Sequence, residues 1–416
     1  MKERRVVITG MGALTPIGNT LNEFWDNAVK GKSGAAPITR FDTTKFKTKF
    51  ACELKDFDVS KFLQRTDIQR TDLFTQYALV AAGEALTDCG INLADISPFD
   101  IGVIWGSAQG GMVSYEKEVM EYALSRTPRF SPMFGPKLLL NMASGMIAIK
   151  FGLMGINFTT TSACATSNTA IMDAYSYIKL GKAKMFVTGG SEAGIIESGV
   201  GGFGAMRALS MNNDNPEGAC CPFDIARNGF VMAEGAGALI VEDLEHAQKR
   251  GAKIYAELVG AAMTADAYHV AAPHPEGVGA AKAMELALEE AGVKPEQVDY
   301  LNAHATSTPT GDISEIRAVV KVFGMAPENL KISSSKSMTG HLLGGAGAVE
   351  SILCIKAIEK GIITPTINTQ HIDPEIPSTI NIITGESISA DVKVAITNSF
   401  GFGGHNSTLV FIRFEA

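Results

Sequence analysis

The chain has 416 residues, of which 46% are apolar and only 19% are charged. Ordinary globular chains carry about 25% charged residues, so this composition predicts a large core, an extensive oligomer interface or both, and it excludes a disordered chain. The net charge of −8 argues against a nucleic-acid-binding protein, because such proteins normally carry an excess of basic residues.

The sequence also argues against export and against membrane insertion. The N-terminal residues MKERRVVITGMG lack the apolar region of a secretory signal. The longest uncharged stretch, 151–172, is rich in Asn, Thr and Ser, whereas a bilayer span needs ~20 predominantly apolar residues. Six cysteines without a CxxC pair predict neither a disulfide framework nor a zinc site. We therefore expect a reduced, cytoplasmic protein.

Short β-rich runs alternate with helical stretches along the whole chain. A helix is predicted from Thr71-Asp72 to Gly90, and another over 278–292. The predicted strands are 5–12, 101–107, 183–190, 236–242, 253–265, 298–306, 330–337 and 392–404. This alternation predicts an α/β fold whose strands are buried on both faces. The second half repeats the rhythm of the first, which suggests an internal duplication with a boundary near residue 255.

The first glycine-rich motif is GMGALTPIG at 10–18, directly after a strand. It differs from a dinucleotide-binding fingerprint because the third glycine position falls on Thr15 and a proline follows it. We interpret it as a tight strand-to-helix turn and predict no nucleotide cofactor.

Cys164 stands among small residues in TSACATS, just before a long apolar helix. A cysteine at a helix N-terminus feels free N–H donors and the positive end of the helix dipole, and both favour the thiolate. Considered alone, such a cysteine is more often an inert core residue. The other five cysteines keep that interpretation; they are Cys52, Cys89, Cys220, Cys221 and Cys354.

Two histidines in strand-end loops favour a catalytic cysteine. His304 lies in NAHATSTPTGD, and His341 lies in a glycine-rich loop five residues after Lys336. A nucleophile with nearby imidazoles fits covalent catalysis. The later turn NSFGFGGHNS (398–407) carries Phe400 and could present backbone N–H groups to an oxyanion, although a hairpin explains it equally well.

Together and in this order, these motifs resemble the elongating β-ketoacyl-acyl carrier protein synthases of types I and II. The matching stretches cover nearly the whole chain: TSACATS, GVGGFGAMRALS, PFDIARNGFVMAEGAG, NAHATSTPTGD, SSSKSMTGHLLGGAGAVES and NSFGFGGHNS. The resemblance implies a thiolase fold, with two βαβαβαββ halves stacked in five α-β-α-β-α layers. It also implies a homodimer. The halves would be 1–255, with the nucleophile, and 256–416, with both histidines and the glycine-rich oxyanion and gate loop.

The resemblance assigns roles to individual residues. Cys164 would take the acyl chain as a thioester, while His304 and His341 would hold the malonyl thioester and promote its decarboxylation. The remaining assignments follow the matched motifs: Lys336 tunes the charge near His341, Glu350 gives structural support, and Cys164 and Phe400 donate backbone N–H groups to the oxyanion. Phe400 would also gate the site, and Phe203 would line the substrate pocket.

The implied substrates are carried on the phosphopantetheine of an acyl carrier protein, and no resident cofactor is predicted. The sequence leaves open whether a monovalent cation lies near Asn302, Glu350 and Asn398. Thr306 and Thr308 match the hydroxyls that bind the phosphopantetheine amides. The carrier is acidic, so an acidic synthase needs a local basic patch. Four arginines stand in segments similar to the family's docking surface: Arg65, Arg70, Arg129 and Arg207.

Two positions depart from the usual family pattern. Gln109, in GSAQGGM, stands where an apolar residue normally closes the dimer-shared end of the acyl pocket. A polar amide there would disfavour a long alkyl chain, which leaves the preferred chain length open. His405 replaces a threonine that is common in type II enzymes.

Other functions remain open at this point. A thiolase would use a second cysteine as base, and a priming synthase would pair its cysteine with His and Asn. A ketosynthase of a polyketide or aryl-polyene pathway would share all of the motifs. A non-catalytic chain-length-factor subunit would lack the nucleophile, which is present here as Cys164.

Overall fold

The computed structural model describes residues 4–415. The strands are β1 Val6–Leu14, β2 Ala36–Pro37, β3 Phe50–Ala51, β4 Ile101–Gly106, β5 Asn157–Thr160, β6 Met185–Glu192, β7 Gly235–Asp243, β8 Ala256–Ala265, β9 Tyr300–Asn302, β10 Lys331–Ser333, β11 Ile362–Ile363, β12 Asn381–Ile382, β13 Ile388–Ser389, β14 Val394–Gly401 and β15 His405–Ile412. The helices are α1 Leu21–Val29, α2 Arg65–Arg70, α3 Leu73–Asp88, α4 Met112–Ser125, α5 Phe134–Leu138, α6 Met142–Phe151, α7 Thr166–Lys179, α8 Glu197–Ala205, α9 Leu244–Lys249, α10 Val278–Ala291, α11 Pro309–Phe323, α12 Lys336–Thr339 and α13 Ala346–Lys360. Short 3-10 helices occupy Val59–Lys61, Leu93–Asp95, Pro98–Asp100, Ala163–Ala165, Pro295–Gln297 and Leu343–Gly345.

Eleven strands form one hydrogen-bonded sheet in the order β12-β10-β9-β14-β15-β8-β1-β7-β6-β4-β5. From the centre outwards, β1-β7-β6-β4-β5 and β8-β15-β14-β9-β10 have the same succession of two antiparallel and two parallel neighbours. The two groups are joined by antiparallel pairing between β1 and the start of β8. The two parts of the chain therefore repeat one topology.

Helices cover both faces of each group of strands. The central helices α7 and α13 contact strands of both groups, and their apolar residues form one cluster with those strands. Helices α3 and α6 cover the outer face of the first group, and α10 and α11 cover that of the second. This gives five layers, α-β-α-β-α, as expected for the thiolase fold.

Local sequence signals place the ends of several helices. The Asp72 side chain accepts the Phe74 N–H and caps α3, and Gly292 ends α10 in the left-handed conformation that glycine adopts easily. The first two glycines of GMGALTPIG, Gly10 and Gly12, lie within β1, and a Cβ on Gly12 would fall 2.1 Å from the Ala81 carbonyl oxygen of α3. These glycines therefore allow close packing of helix on strand, whereas the sequence predicted only a turn.

Helix α4 was not predicted, because none of its residues is buried and it has no apolar face turned to the core. Its tyrosines, Tyr115 and Tyr122, instead contact the rings of Phe134 and Phe130, and these two phenylalanines contact each other. In the described residues, no helix is long and apolar enough to cross a membrane.

Candidate active site

Cys164 lies in the 3-10 helix between β5 and α7, on the inner side of the fold. The preceding Ala163 has φ +50°, and this tight geometry is held by Thr166, which donates to the Ala163 carbonyl and accepts the Ser162 N–H at 2.6 and 2.9 Å. The cysteine side chain is 8% exposed and lines a cavity of about 320 Å³. The sulfur is thus buried in the free chain but borders an opening that a substrate can enter.

Burial raises the pKa of the Cys164 thiol to about 12, although the nearby Lys336 charge acts in the opposite direction. The expectation of a resting thiolate at this helix start is therefore wrong, because desolvation of the charge outweighs the favourable electrostatics. The backbone N–H of Phe402 lies near the sulfur and lowers the pKa of the thiol, so it favours the thiolate once the proton has left.

His304 follows β9 and is fixed through its backbone. The N–H groups of His304 and Ala305 donate to the two oxygens of Glu315 on α11, at 2.9 and 2.7 Å. Asn398 of β14 also donates to Glu315, at 3.1 Å, so the carboxylate joins α11, the histidine loop and the central sheet. Burial raises the pKa of Glu315 to about 7. Sequence reasoning missed this residue because it lies eleven positions from the histidine, on a separate helix.

The backbone of His341 is held by hydrogen bonds to the segment 230–233. Its N–H donates to the Val231 carbonyl at 2.8 Å, and its carbonyl accepts the Ala233 N–H at 3.0 Å. The Phe230 ring packs edge-on against the imidazole, with centroids 5.4 Å apart. The sequence motif placed His341 in a glycine loop, but the role of 230–233 as its backbone partner depends on the tertiary structure.

The imidazoles of His304 and His341 contact each other edge to face in the wall of the cavity that Cys164 also lines. Their ring centroids are 5.3 Å apart, and the ring planes are nearly perpendicular. Burial, followed by the Lys336 charge, lowers the pKa of both His304 and His341 well below the usual value. Both rings are therefore neutral at pH 7, and neither Nδ1 has a hydrogen-bond partner within residues 4–415.

Lys336 and Glu350 form a buried ion pair next to these histidines, linking α12 to α13. The Lys336 side chain is 1% exposed. Burial raises the pKa of Glu350, and Lys336 opposes that effect. Lys336 does not line the cavity, which agrees with the expected role of setting charge without touching substrate.

The amide next to the Cys164 sulfur belongs to Phe402 and not to Phe400. Phe400 lies within β14, and its ring packs against His304 with centroids 5.6 Å apart. Phe402 lies in the turn between β14 and β15, and its backbone N–H lowers the pKa of Cys164. NSFGFGGHNS thus forms the hairpin turn, and its part in holding an oxyanion stays a prediction.

The predicted substrate-contact residues are distributed unequally around the cavity. Thr306 and Thr308 line it, with hydroxyls 3.1 Å apart, and so does the half-buried Phe203. Gln109 does not line it and lies over Gly194 instead. The cavity wall also includes Asp266 and His269, which sequence reasoning did not single out.

The four predicted docking arginines are all exposed. Arg65 and Arg70 are the first and last residues of α2, and Arg129 lies between α4 and α5. Arg207 follows α8 and lines the cavity, so it lies where a carried substrate would enter.

Two family descriptions match the chain: "Beta-ketoacyl synthase, N-terminal domain" over residues 3–247 and "Beta-ketoacyl synthase, C-terminal domain" over 255–370. The chain belongs to the beta-ketoacyl synthase family. It is 47% identical over 415 residues to 3-oxoacyl-[acyl-carrier-protein] synthase 2 of Staphylococcus aureus strain N315, with 100% of both chains covered. It is 45% identical over 416 residues to the enzyme of the same name from Synechocystis, covering 100% of this chain and 99% of the relative.

Among solved structures, the chain resembles one of a type II polyketide ketosynthase in complex with its acyl-carrier protein. The TM-score is 0.92 at 33% identity, and 99% of this chain and 100% of the other are covered. The higher identity to the 3-oxoacyl synthases makes this beta-ketoacyl synthase a condensing enzyme of fatty-acid elongation, an acyltransferase of the synthase 2 type.

Proposed function

We propose that Cys164, His304 and His341 carry out the decarboxylative condensation in this enzyme. The observation that supports this most strongly is that these three side chains line one cavity, with the two neutral imidazoles side by side in its wall. A single cavity lets one sulfur hold the acyl group while two N–H donors bind the second substrate.

In the first half-reaction, the Cys164 sulfur attacks the carbonyl carbon of an acyl thioester on the carrier. The carrier's C–S bond breaks, and the proton of the cysteine thiol passes to the departing carrier sulfur. The backbone N–H groups of Cys164 and Phe402 would donate to the tetrahedral oxyanion, a role that we move from Phe400 because the Phe402 amide lies on the sulfur.

In the second half-reaction, malonyl carrier loses CO₂ and leaves an enolate whose negative oxygen needs donors already in place. His304 and His341 would supply two Nε2–H groups, which each neutral ring offers when its single proton is on Nε2. The carbanion attacks the acyl-Cys164 carbonyl, and the C–S bond breaks. The product is a β-ketoacyl carrier two carbons longer, and the released Cys164 thiolate takes up one proton from solvent.

Lys336 is a positioning residue in this scheme, supported by Glu350. Its buried charge lowers the pKa of both histidines, so it keeps them neutral when a carboxylate enters. Thr306 and Thr308 would bind the amides of the phosphopantetheine arm, since their hydroxyls line the way to the cysteine. The substrates bring this arm with them, and the lack of a resident cofactor stays a prediction.

We further propose acyl carrier protein as the partner, received by Arg65, Arg70, Arg129 and Arg207. The exposure of all four guanidinium groups and the position of Arg207 at the cavity support this proposal. The division at residue 255 into a nucleophile half and a histidine half, and the cytoplasmic location, also stay proposals.

The test is a condensation assay with decanoyl carrier and malonyl carrier, read by mass spectrometry of the product. Cys164→Ala should form no dodecanoyl-length product while remaining folded, and Cys89→Ala, which alters a cysteine outside the site, should retain activity. His304→Ala and His341→Ala should chiefly lose CO₂ release from malonyl carrier. Normal condensation by Cys164→Ala, or normal CO₂ release by either histidine variant, would refute the corresponding role.

A further inference from the structure

Two different environments adjoin the sulfur of Cys164. One is the cavity that contains the hydroxyls of Thr306 and Thr308. The other is an apolar cluster of which Cys164 is itself a member, together with Ile195, Val200, Phe203, Phe230, Met232 and Leu343. An alkyl chain gains free energy by leaving water for apolar surroundings, so the acyl group on Cys164 belongs on the side of the cluster.

Gln109 lies at the border of this apolar cluster. A Cβ placed on Gly194 would fall 1.9 Å from the Gln109 Oε1 and 2.8 Å from the terminal carbon of Met232, which belongs to the cluster. The amide oxygen and the methionine therefore meet over a residue that has no side chain. Glycine at 194 leaves the space that the amide occupies.

The buried carboxylate of Glu192 fixes the loop that carries Gln109 through four hydrogen bonds. One oxygen accepts the Ser107 hydroxyl and the Gln109 N–H, at 3.0 and 3.1 Å. The other accepts the N–H groups of Ala108 and Gly344, at 2.9 and 3.1 Å. The loop is thus tied to the segment that follows His341, and these bonds fix the backbone from which the Gln109 side chain extends.

The Gln109 Oε1 is buried and accepts no hydrogen bond from residues 4–415. A buried hydrogen-bond acceptor without a donor costs free energy. A plain alkyl chain beside Gln109 would exclude water from this acceptor and would supply no donor in its place. A chain that carries a hydroxyl group would supply the missing donor.

We propose that Gln109 is a specificity-determining residue that favours acyl chains bearing a hydroxyl group, whose O–H donates to Gln109 Oε1. This inference rests on the proposed function, because it takes the acyl chain to be held on Cys164. A site built to hydrogen-bond a substrate hydroxyl discriminates against the analogue that lacks it, because the protein's own polar group is then left unpaired.

The experiment uses dodecanoyl carrier and its monohydroxy isomers, with the hydroxyl moved one carbon at a time from the fourth carbon to the end. Each is condensed with malonyl carrier by the wild type, by Gln109→Leu and by Gln248→Leu, a control that changes an exposed glutamine on α9. We expect one isomer to exceed plain dodecanoyl in kcat/KM by about fivefold, and Gln109→Leu to remove that preference.

The wild-type series alone can overturn the inference, so it does not depend on how well the variant folds. If plain dodecanoyl is condensed and no hydroxy isomer is preferred, or if Gln109→Leu keeps the preference, the hydroxyl proposal is wrong and the proposed function stands. If no member of the series is condensed although decanoyl carrier is, the hydroxyl proposal is wrong and the proposed function stands; if decanoyl carrier is not condensed either, both are wrong.

Discussion

Burial determines the charge states of the three groups around the cavity. The pKa of Cys164 is raised and those of His304 and His341 are lowered, because each charged form would lose its hydration. Lys336 forms a buried ion pair with Glu350. The resting site thus holds a neutral thiol and two neutral imidazoles beside one buried cation. This arrangement suits a reaction in which negative charge develops only during the chemical steps.

The neutral thiol predicts the pH dependence of alkylation at Cys164. Because its pKa is about 12, the thiolate fraction rises tenfold for each pH unit throughout the range below that value. Iodoacetamide labelling of Cys164, followed by peptide mass spectrometry from pH 6.5 to pH 9, should therefore accelerate continuously. A rate that levels off near neutral pH would show a pre-formed thiolate and contradict this charge state.

Removing the Lys336 charge should affect both stability and histidine titration. Lys336→Met leaves Glu350 buried without its partner, which typically costs about 3–5 kcal/mol. Urea unfolding should show this loss, and the double variant Lys336→Met with Glu350→Gln should recover much of it. The histidine pKa values should rise in the single variant, because Lys336 lowers them in the native site. Unchanged NMR titration of both rings would disprove that coupling.

At the scale of elements, the packing of α3 on β1 depends on glycine. A Cβ on Gly12 would fall 2.1 Å from the Ala81 carbonyl oxygen, too close for any side chain unless helix and strand separate. Gly12→Ala should therefore destabilise the protein by about 1–3 kcal/mol in equilibrium unfolding.

A glycine with free space provides the matched control. Gly202 lies inside α8, and a Cβ there meets no atom within 4 Å. Gly202→Ala should be neutral or stabilise by up to about 1 kcal/mol, because alanine favours the helix. Equal effects of the two substitutions would show that close packing is not what β1 requires.

Much of the fold and of the candidate site could be predicted from the sequence, because local residue patterns determine it. The cap at Asp72, the stop at Gly292 and the alternation of strands and helices all appeared in the structure. The contributions of Glu315 and Phe402 could not be predicted from the residues alone. Tertiary packing alone brings a carboxylate on another helix and an amide in a hairpin turn to the site. Local periodicity and motifs do not predict such contacts.

At the scale of the whole molecule, the end of the large sheet indicates how two copies associate. Strand β5 is the last strand and pairs only with β4 in the described chain, which leaves one edge open. Ile149 and Met154, just before it, are 73% and 60% exposed. Open edges and exposed apolar residues are what an interface covers, so we propose a homodimer formed along β5.

Sedimentation equilibrium should give twice the chain mass of 44.0 kDa. Replacing both Ile149 and Met154 by Glu should reduce the mass to that of one chain, because two buried carboxylates oppose association. Met325→Glu, at an exposed residue in the loop between α11 and β10, is the control and should leave the dimer intact. A monomeric wild type would rule out the proposed interface.

The most direct measurement is the intact mass of the enzyme after incubation with decanoyl carrier, and again after addition of malonyl carrier. Wild type should gain one decanoyl group on Cys164 and then lose it as a carrier product two carbons longer, whereas Cys164→Ala should gain nothing. An acyl group found on another residue, or one that malonyl carrier does not remove, would contradict the account.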